Sequence, residues 1–151
     1  MCRSNAKVCA IETIENFSNR DHFRVTTKAA IYSLDGSAVL LTDIKQSNGG
    51  RSFGLPGGHM DHGEEPDQTM IRELREELGV TVQDLARADF FMHPNGKVVL
   101  GYTARLSRDA LLVSQEPERE EGIWVTRADL AAVALNDAYR SHVDQHWPSS
   151  D

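Results

Sequence analysis

The stretch that most constrains this chain runs from Gly57 to Val80. Pro66 suits the first position of a helix, and Asp67 complements the helix dipole beside it. Gly79 is the expected terminator, so the pattern predicts a helix over Pro66 to Leu78. At about 100° per residue, Glu73, Glu76 and Glu77 fall on one face and Met70, Ile71, Leu74 and Leu78 on its neighbour. Such a helix docks on a sheet by its apolar stripe and presents three carboxylates along the edge. Like charges at this spacing repel, and a bound divalent cation removes the cost. Clustered hard oxygen ligands suit Mg²⁺ or Mn²⁺, which in turn hold phosphates. Arg72 can grip a carboxylate with two parallel bonds, and Glu64 in the preceding loop is the partner of choice. That pair would tie loop to helix and hold Glu73 in place.

The remaining elements follow from periodicity and turn chemistry. Lys7 to Glu15 carries a weak strand pattern. Val25 to Ser33 and Ser37 to Ile44 read as strands joined by the hairpin turn Asp35-Gly36. A polar loop, Gln46 to Arg51, precedes a short strand from Phe53 that runs into the tight turn Gly57-Gly58. Thr81 to Ala86 leads to a strand through Phe90 to Met92, and Asn95-Gly96 turns it back into Lys97 to Leu106. Ile123 to Val125 is a short strand, and Thr126 with Asp129 opens a short helix. A last helix spans Asp137 to Trp147, with Ala138, Tyr139 and Val143 on one face. Strands, helix, strands and helices in this order predict one α+β domain over residues 1–151, a mixed sheet with helices packed on it.

Composition narrows the function. Net charge is −7, from 23 acidic and 16 basic residues, which disfavours a nucleic-acid partner. An acidic protein with an anionic substrate needs a cation at its site. No apolar run approaches the ~20 residues of a membrane helix, and Met1 to Arg24 has no signal-peptide core. Cys2 and Cys9 make neither a disulfide framework nor a cysteine zinc site, so the expected compartment is the cytoplasm.

Gly58, Glu64, Arg72, Glu73, Leu74, Glu76, Glu77, Gly79 and Val80 together resemble the signature of the Nudix (MutT-like) hydrolases. That signature is Gly, five residues, Glu, seven residues, Arg-Glu, an aliphatic, any residue, Glu-Glu, any residue, Gly, an aliphatic, and no position departs from it. A chance match anywhere in the chain is on the order of one in ten million from average composition, so the segment is more than a solvated charged helix. Leu55-Pro56-Gly57-Gly58 is similar to the family's lead-in. The resemblance implies an α/β/α sandwich. It also implies hydrolysis of a nucleoside diphosphate linked to another group, with Mg²⁺ or Mn²⁺ and in-line attack of water. By the same resemblance Glu76 and Glu77 are primary metal ligands, and Glu73 is a ligand or the group that orients the water. The Gly57 carbonyl is a further ligand, and Arg72 supports catalysis. Glu121 and Glu120, in a loop before Trp124, are candidates for general base or a fourth ligand. Arg51 and Gly58 are the candidate substrate contacts; a loop arginine at the surface reads equally well for Arg51.

Other residues carry less. His59 and His62 lack a third nitrogen or sulfur ligand and read as cleft lining. Phe90, Phe91, Tyr102 and Trp124 are core aromatics before they are base-stacking ones, and Pro94 is a turn residue. Two other functions compete. A non-catalytic nucleotide-binding module usually loses box carboxylates, all of which are present here. An isopentenyl diphosphate isomerase would need a cleft cysteine, and only Cys2 and Cys9 exist. A nucleotide-type small molecule is the expected partner, with neither nucleic acid nor membrane; a homodimer is left open.

Overall fold

The computed structural model describes residues 23–149. The expected strand at Lys7 to Glu15 and both cysteines lie outside them. Six strands and three helices follow in order: β1 Val25–Ser33, β2 Ala38–Lys45, β3 Arg51–Gly54, α1 Pro66–Leu78, β4 Gln83–Met92, β5 Val98–Leu106, β6 Glu120–Thr126, α2 Arg127–Leu130 and α3 Asp137–Gln145.

The sheet runs β3-β2-β1-β5-β4, with β6 on the other edge of β2. β1 and β5 are parallel, in register from Val25↔Val98 to Ser33↔Leu106, and every other pairing is antiparallel. The sheet is therefore mixed, as expected. The β1–β2 hairpin turns at Gly36, whose φ of 72° matches the Asp-Gly signal. These two strands stay paired only near the turn, at Ile31↔Leu40 and Tyr32↔Val39. Beyond it they splay, and the segment after β3 fills the gap beside β1. Ala29 N–H donates to Pro56 O at 2.9 Å and Thr27 N–H to Gly58 O at 2.8 Å. This insertion brings the Gly57-Gly58 turn under the end of α1.

Helices cover both faces. β1 is buried on both, so Ala29 and Ile31 face α1 while Ala30 and Tyr32 face α2 and α3. On the first side Met70, Leu74 and Leu78 pack with Leu40, Tyr102 and Ala104. On the second, Leu130, Leu135, Tyr139 and Val143 pack with Val39, Leu41 and Val99. Burial of a side chain such as Leu74 is worth ~1.5–3 kcal/mol. The arrangement is the expected α/β/α sandwich. Among the described residues no helix is long and apolar enough to cross a membrane.

Four details correct the reading from the sequence. Ile71 is 40% exposed, and Thr69 is buried instead, its hydroxyl donating to Glu64 Oε2 at 2.8 Å. Phe90 is 78% exposed rather than core, because register shifts at Gln83/Ala86 and Arg87/Phe90 break the alternation of β4. β6 begins at Glu120, so Glu120 and Glu121 lie on a strand paired with Ile44 and Asp43 and not in a loop. The last helix ends at Gln145, two residues short of Trp147.

Candidate active site

α1 is anchored at both ends. Gln68 Oε1 accepts from Glu65 N–H at 3.0 Å at its start, and Gly79 closes it with φ 67°. With the helix thus fixed on the sheet, Glu73 and Glu77 face the glycine turn. Gly57 N–H donates to Glu77 Oε2 at 2.8 Å. A Cβ on Gly58 would lie 2.3 Å from Glu73 Cδ, so the missing side chain is the space the Glu73 carboxylate occupies. Gly57 has φ 137°, and a Cβ there would meet Thr27 O at 2.0 Å. Both glycines are required, one by the backbone of β1 and the other by a carboxylate.

Arg72 organises the cluster. Its Nε and Nη2 donate to Glu64 Oε1 and Oε2 at 2.6 and 3.0 Å, the expected two-bond grip. Nη1 reaches Glu73 Oε1 at 3.0 Å and Glu76 Oε2 at 3.2 Å, and Nη2 also donates to the His59 carbonyl at 3.1 Å. One guanidinium therefore spans loop, helix and two of the three carboxylates. It holds the Glu64 carboxyl down to about 2.

Lys28 on β1 is the group that periodicity does not reveal. Its Nζ donates to the Gly57 carbonyl at 2.9 Å. Burial lowers its pKa, opposed by the charges of Glu77, Glu120 and Glu73. Burial likewise raises Glu77 well above the carboxylate range, offset by Lys28 and the Gly57 N–H. Glu73 is raised for the same reason, with Arg72 opposing. Glu120 contributes charge to both Lys28 and Glu77.

A cleft of about 460 Å³ is lined by Gly57, Gly58, Glu73, Glu77, Lys28, Lys97, Arg119, His59, His93 and Tyr139. It joins carboxylates at one wall to three basic groups and aromatic rings at the others. His59 lines it as expected. Of the other candidates, Arg51, Arg72, Glu76, Glu120 and Glu121 are not among the lining residues. Glu121, next along β6, pairs with Lys45 Nζ at 3.5 Å. Arg51 on β3 is held by the buried Asp43 carboxylate through both Nε and Nη2, which occupies the fork expected to meet a phosphate. Glu76, 45% exposed, stands on the outer side of the cluster beside Arg72.

The NUDIX domain profile matches residues 22–145, which is most of the chain. The chain belongs to the Nudix family of hydrolases. It is 27% identical over 97 residues to an 8-oxo-dGTP diphosphatase of Haemophilus influenzae, covering 64% of this chain and 71% of the relative. It is 24% identical over 106 residues to an ADP-ribose pyrophosphatase of Bacillus subtilis, covering 70% of this chain and 56% of that relative. Among solved structures, a MutT Nudix hydrolase of Burkholderia pseudomallei superposes with TM-score 0.66 at 27% identity, over 83% of this chain and 99% of the other. The Nudix domain of Shewanella oneidensis NrtR, solved with ADP ribose, gives 0.67 at 23% identity over 87% and 94%. The second comparison carries the fold alone. In this Nudix chain the segment matching the signature is the same segment that builds the carboxylate wall.

Proposed function

We propose that the chain hydrolyses the phosphoric anhydride bond of a nucleoside diphosphate linked to another group, with Mg²⁺ or Mn²⁺. One observation carries the reading: Glu73 and Glu77 converge on the Gly57-Gly58 turn in a cleft whose other walls hold Lys28, Lys97 and Arg119. The donor set fits a hard divalent ion. It is all oxygen, and the buried Glu77 carboxylate lies among like charges with Lys28 as its main counterweight. Glu73, Glu76, Glu77, Glu120 and the Gly57 carbonyl would hold the ion. When bound, it neutralises the polyphosphate and acidifies water.

The chain's own residues do the rest. Arg72 keeps Glu73 and Glu76 in one orientation, and Glu64 keeps Arg72 there. Lys97 and Arg119 bind phosphate oxygens as the substrate enters, and Lys28 stabilises charge as it develops. Water forms the new oxygen–phosphorus bond while the anhydride bond opposite breaks. Its proton passes to a carboxylate, for which Glu73 and Glu120 are the candidates. Glu121 serves this role less well, since it is engaged with Lys45. Tyr139, His93 and His59 offer rings to the nucleoside portion.

Release of a nucleoside monophosphate from a panel containing nucleoside triphosphates, 8-oxo-dGTP, ADP-ribose and nucleotide sugars, with Mg²⁺ or Mn²⁺, tests this. Tight binding of a nucleotide with no product from any of them would establish the binding-module alternative instead.

A further inference from the structure

We infer a second cation site, of two imidazoles and one carboxylate, formed by Asp89, His142 and His146 on the α3 side of the sheet. Three donor atoms converge there: Asp89 Oδ1 lies 2.7 Å from His142 Nδ1 and 3.3 Å from His146 Nε2. The full set falls within 4.8 Å. Donors on a tetrahedral zinc ion stand about 3.3 Å apart, given bonds of about 2.0–2.1 Å.

The hydrogen bonding asks for a cation. The His142 side chain is fully buried, and its Nε2 faces the Tyr102 carbonyl at 3.0 Å. A carbonyl only accepts, so Nε2 carries a hydrogen, which leaves Nδ1 as the ring nitrogen beside Asp89. Asp89 Oδ1, His142 Nδ1 and His146 Nε2 are all buried, and none makes a hydrogen bond of acceptable geometry. Three unpartnered donor atoms thus lie buried within 4.8 Å of one another. Such an arrangement is costly unless a positive ion lies among them.

The backbone makes room for the group. A Cβ on Gly101 would lie 2.7 Å from His142 Cε1 and 3.0 Å from Asp89 Oδ1. The irregularity between Arg87 and Phe90 sets Asp89 at this point of β4. His142 and His146 are four apart at the end of α3, a spacing that puts both rings on one side of a helix. Imidazole donors select zinc-like ions over Mg²⁺, so this site and the carboxylate cleft differ in the metal they take. The Tyr102 carbonyl sets the tautomer of His142, as an outer partner does for a metal-bound histidine. A bound ion would tie the end of α3 to β4.

The test is calorimetric titration of the untagged full-length chain with Zn²⁺ in excess Mg²⁺, with parallel thermal melts. His146→Ala and Asp89→Asn are the informative variants, because His142→Ala would also strip the buried Tyr102 carbonyl and risk the fold. Wild type is expected to take up one Zn²⁺ and melt at a higher temperature with it. Both variants are expected to bind it more than about tenfold more weakly and to lose the shift. Glu77→Gln is expected to retain uptake, which separates this site from the carboxylate cleft. No uptake by wild type, or variants within tenfold of it, overturns the assignment.

Discussion

The two adjacent glycines of the turn answer to different neighbours, and this separates stability from activity. A side chain at Gly57 meets the backbone of β1 and has φ 137° to contend with. Backbone does not give way cheaply, so Gly57→Ala should cost at least about 1–3 kcal/mol and lower the melting temperature measurably. At Gly58 the obstacle is the carboxylate end of Glu73, which can swing aside. Gly58→Ala should therefore melt close to wild type while its turnover falls at least tenfold, on the ~1 Å sensitivity of positioned groups. Equal losses of stability in the two variants would contradict this division. Glu77→Gln keeps an oxygen for the Gly57 N–H but removes the charge. Turnover should drop by about 10²–10³ or more with the fold retained, as measured by kcat alongside circular dichroism.

At the scale of elements, Arg72 binds α1 to the loop before it. Its planar fork serves Glu64, Glu73, Glu76 and the His59 carbonyl at once. A lysine cannot reproduce that geometry, so Arg72→Lys should lose both melting temperature and kcat despite keeping its charge. The pH dependence follows from Glu64, whose value falls from an ordinary 4.5 to about 2 in the folded protein. A depressed carboxylate stabilises the fold above its unfolded value. That contribution is present above about 4.5 and is lost as pH falls toward about 2. Melts across this window should fall more steeply for wild type than for Glu64→Gln.

Much of this element could be read from the chain: Pro66, Gly79, the carboxylate face and the Arg72–Glu64 grip each have a local signature. What escaped depends on distant partners. Lys28 reads as an ordinary strand lysine until the splayed hairpin brings Gly57 to it. The parallel pairing of β1 with β5 joins strands far apart in sequence. The charges of Glu120 and Glu121 hide the start of β6, where alternation sends the two to different partners. Asp89, His142 and His146 meet only through the bulged β4; the spacing of the two histidines was the signal available.

For the whole molecule the governing fact is charge. A chain of net −7 presents an unfavourable long-range field to a polyphosphate. The cleft answers locally, with Lys28 from β1, Lys97 from β5's leading turn and Arg119 from the approach to β6 meeting across it. Lys28 is committed to the Gly57 carbonyl and the buried carboxylates, which in the proposed reaction puts it beside the reacting atoms. Lys97 and Arg119 stand further out, and Arg119 is 73% exposed in its pair with Glu116. Their attraction should act on capture more than on the chemical step. Lys97→Ala and Arg119→Ala are accordingly expected to raise KM severalfold with kcat within about twofold, since uniform binding is what each loses. The effect should shrink as salt shortens the screening length from about 10 Å at 0.1 M to about 3 Å at 1 M. Steady-state kinetics of both variants at low and high salt provide the check. A loss confined to kcat and indifferent to salt would move these groups from the rim of the cleft to its reacting centre.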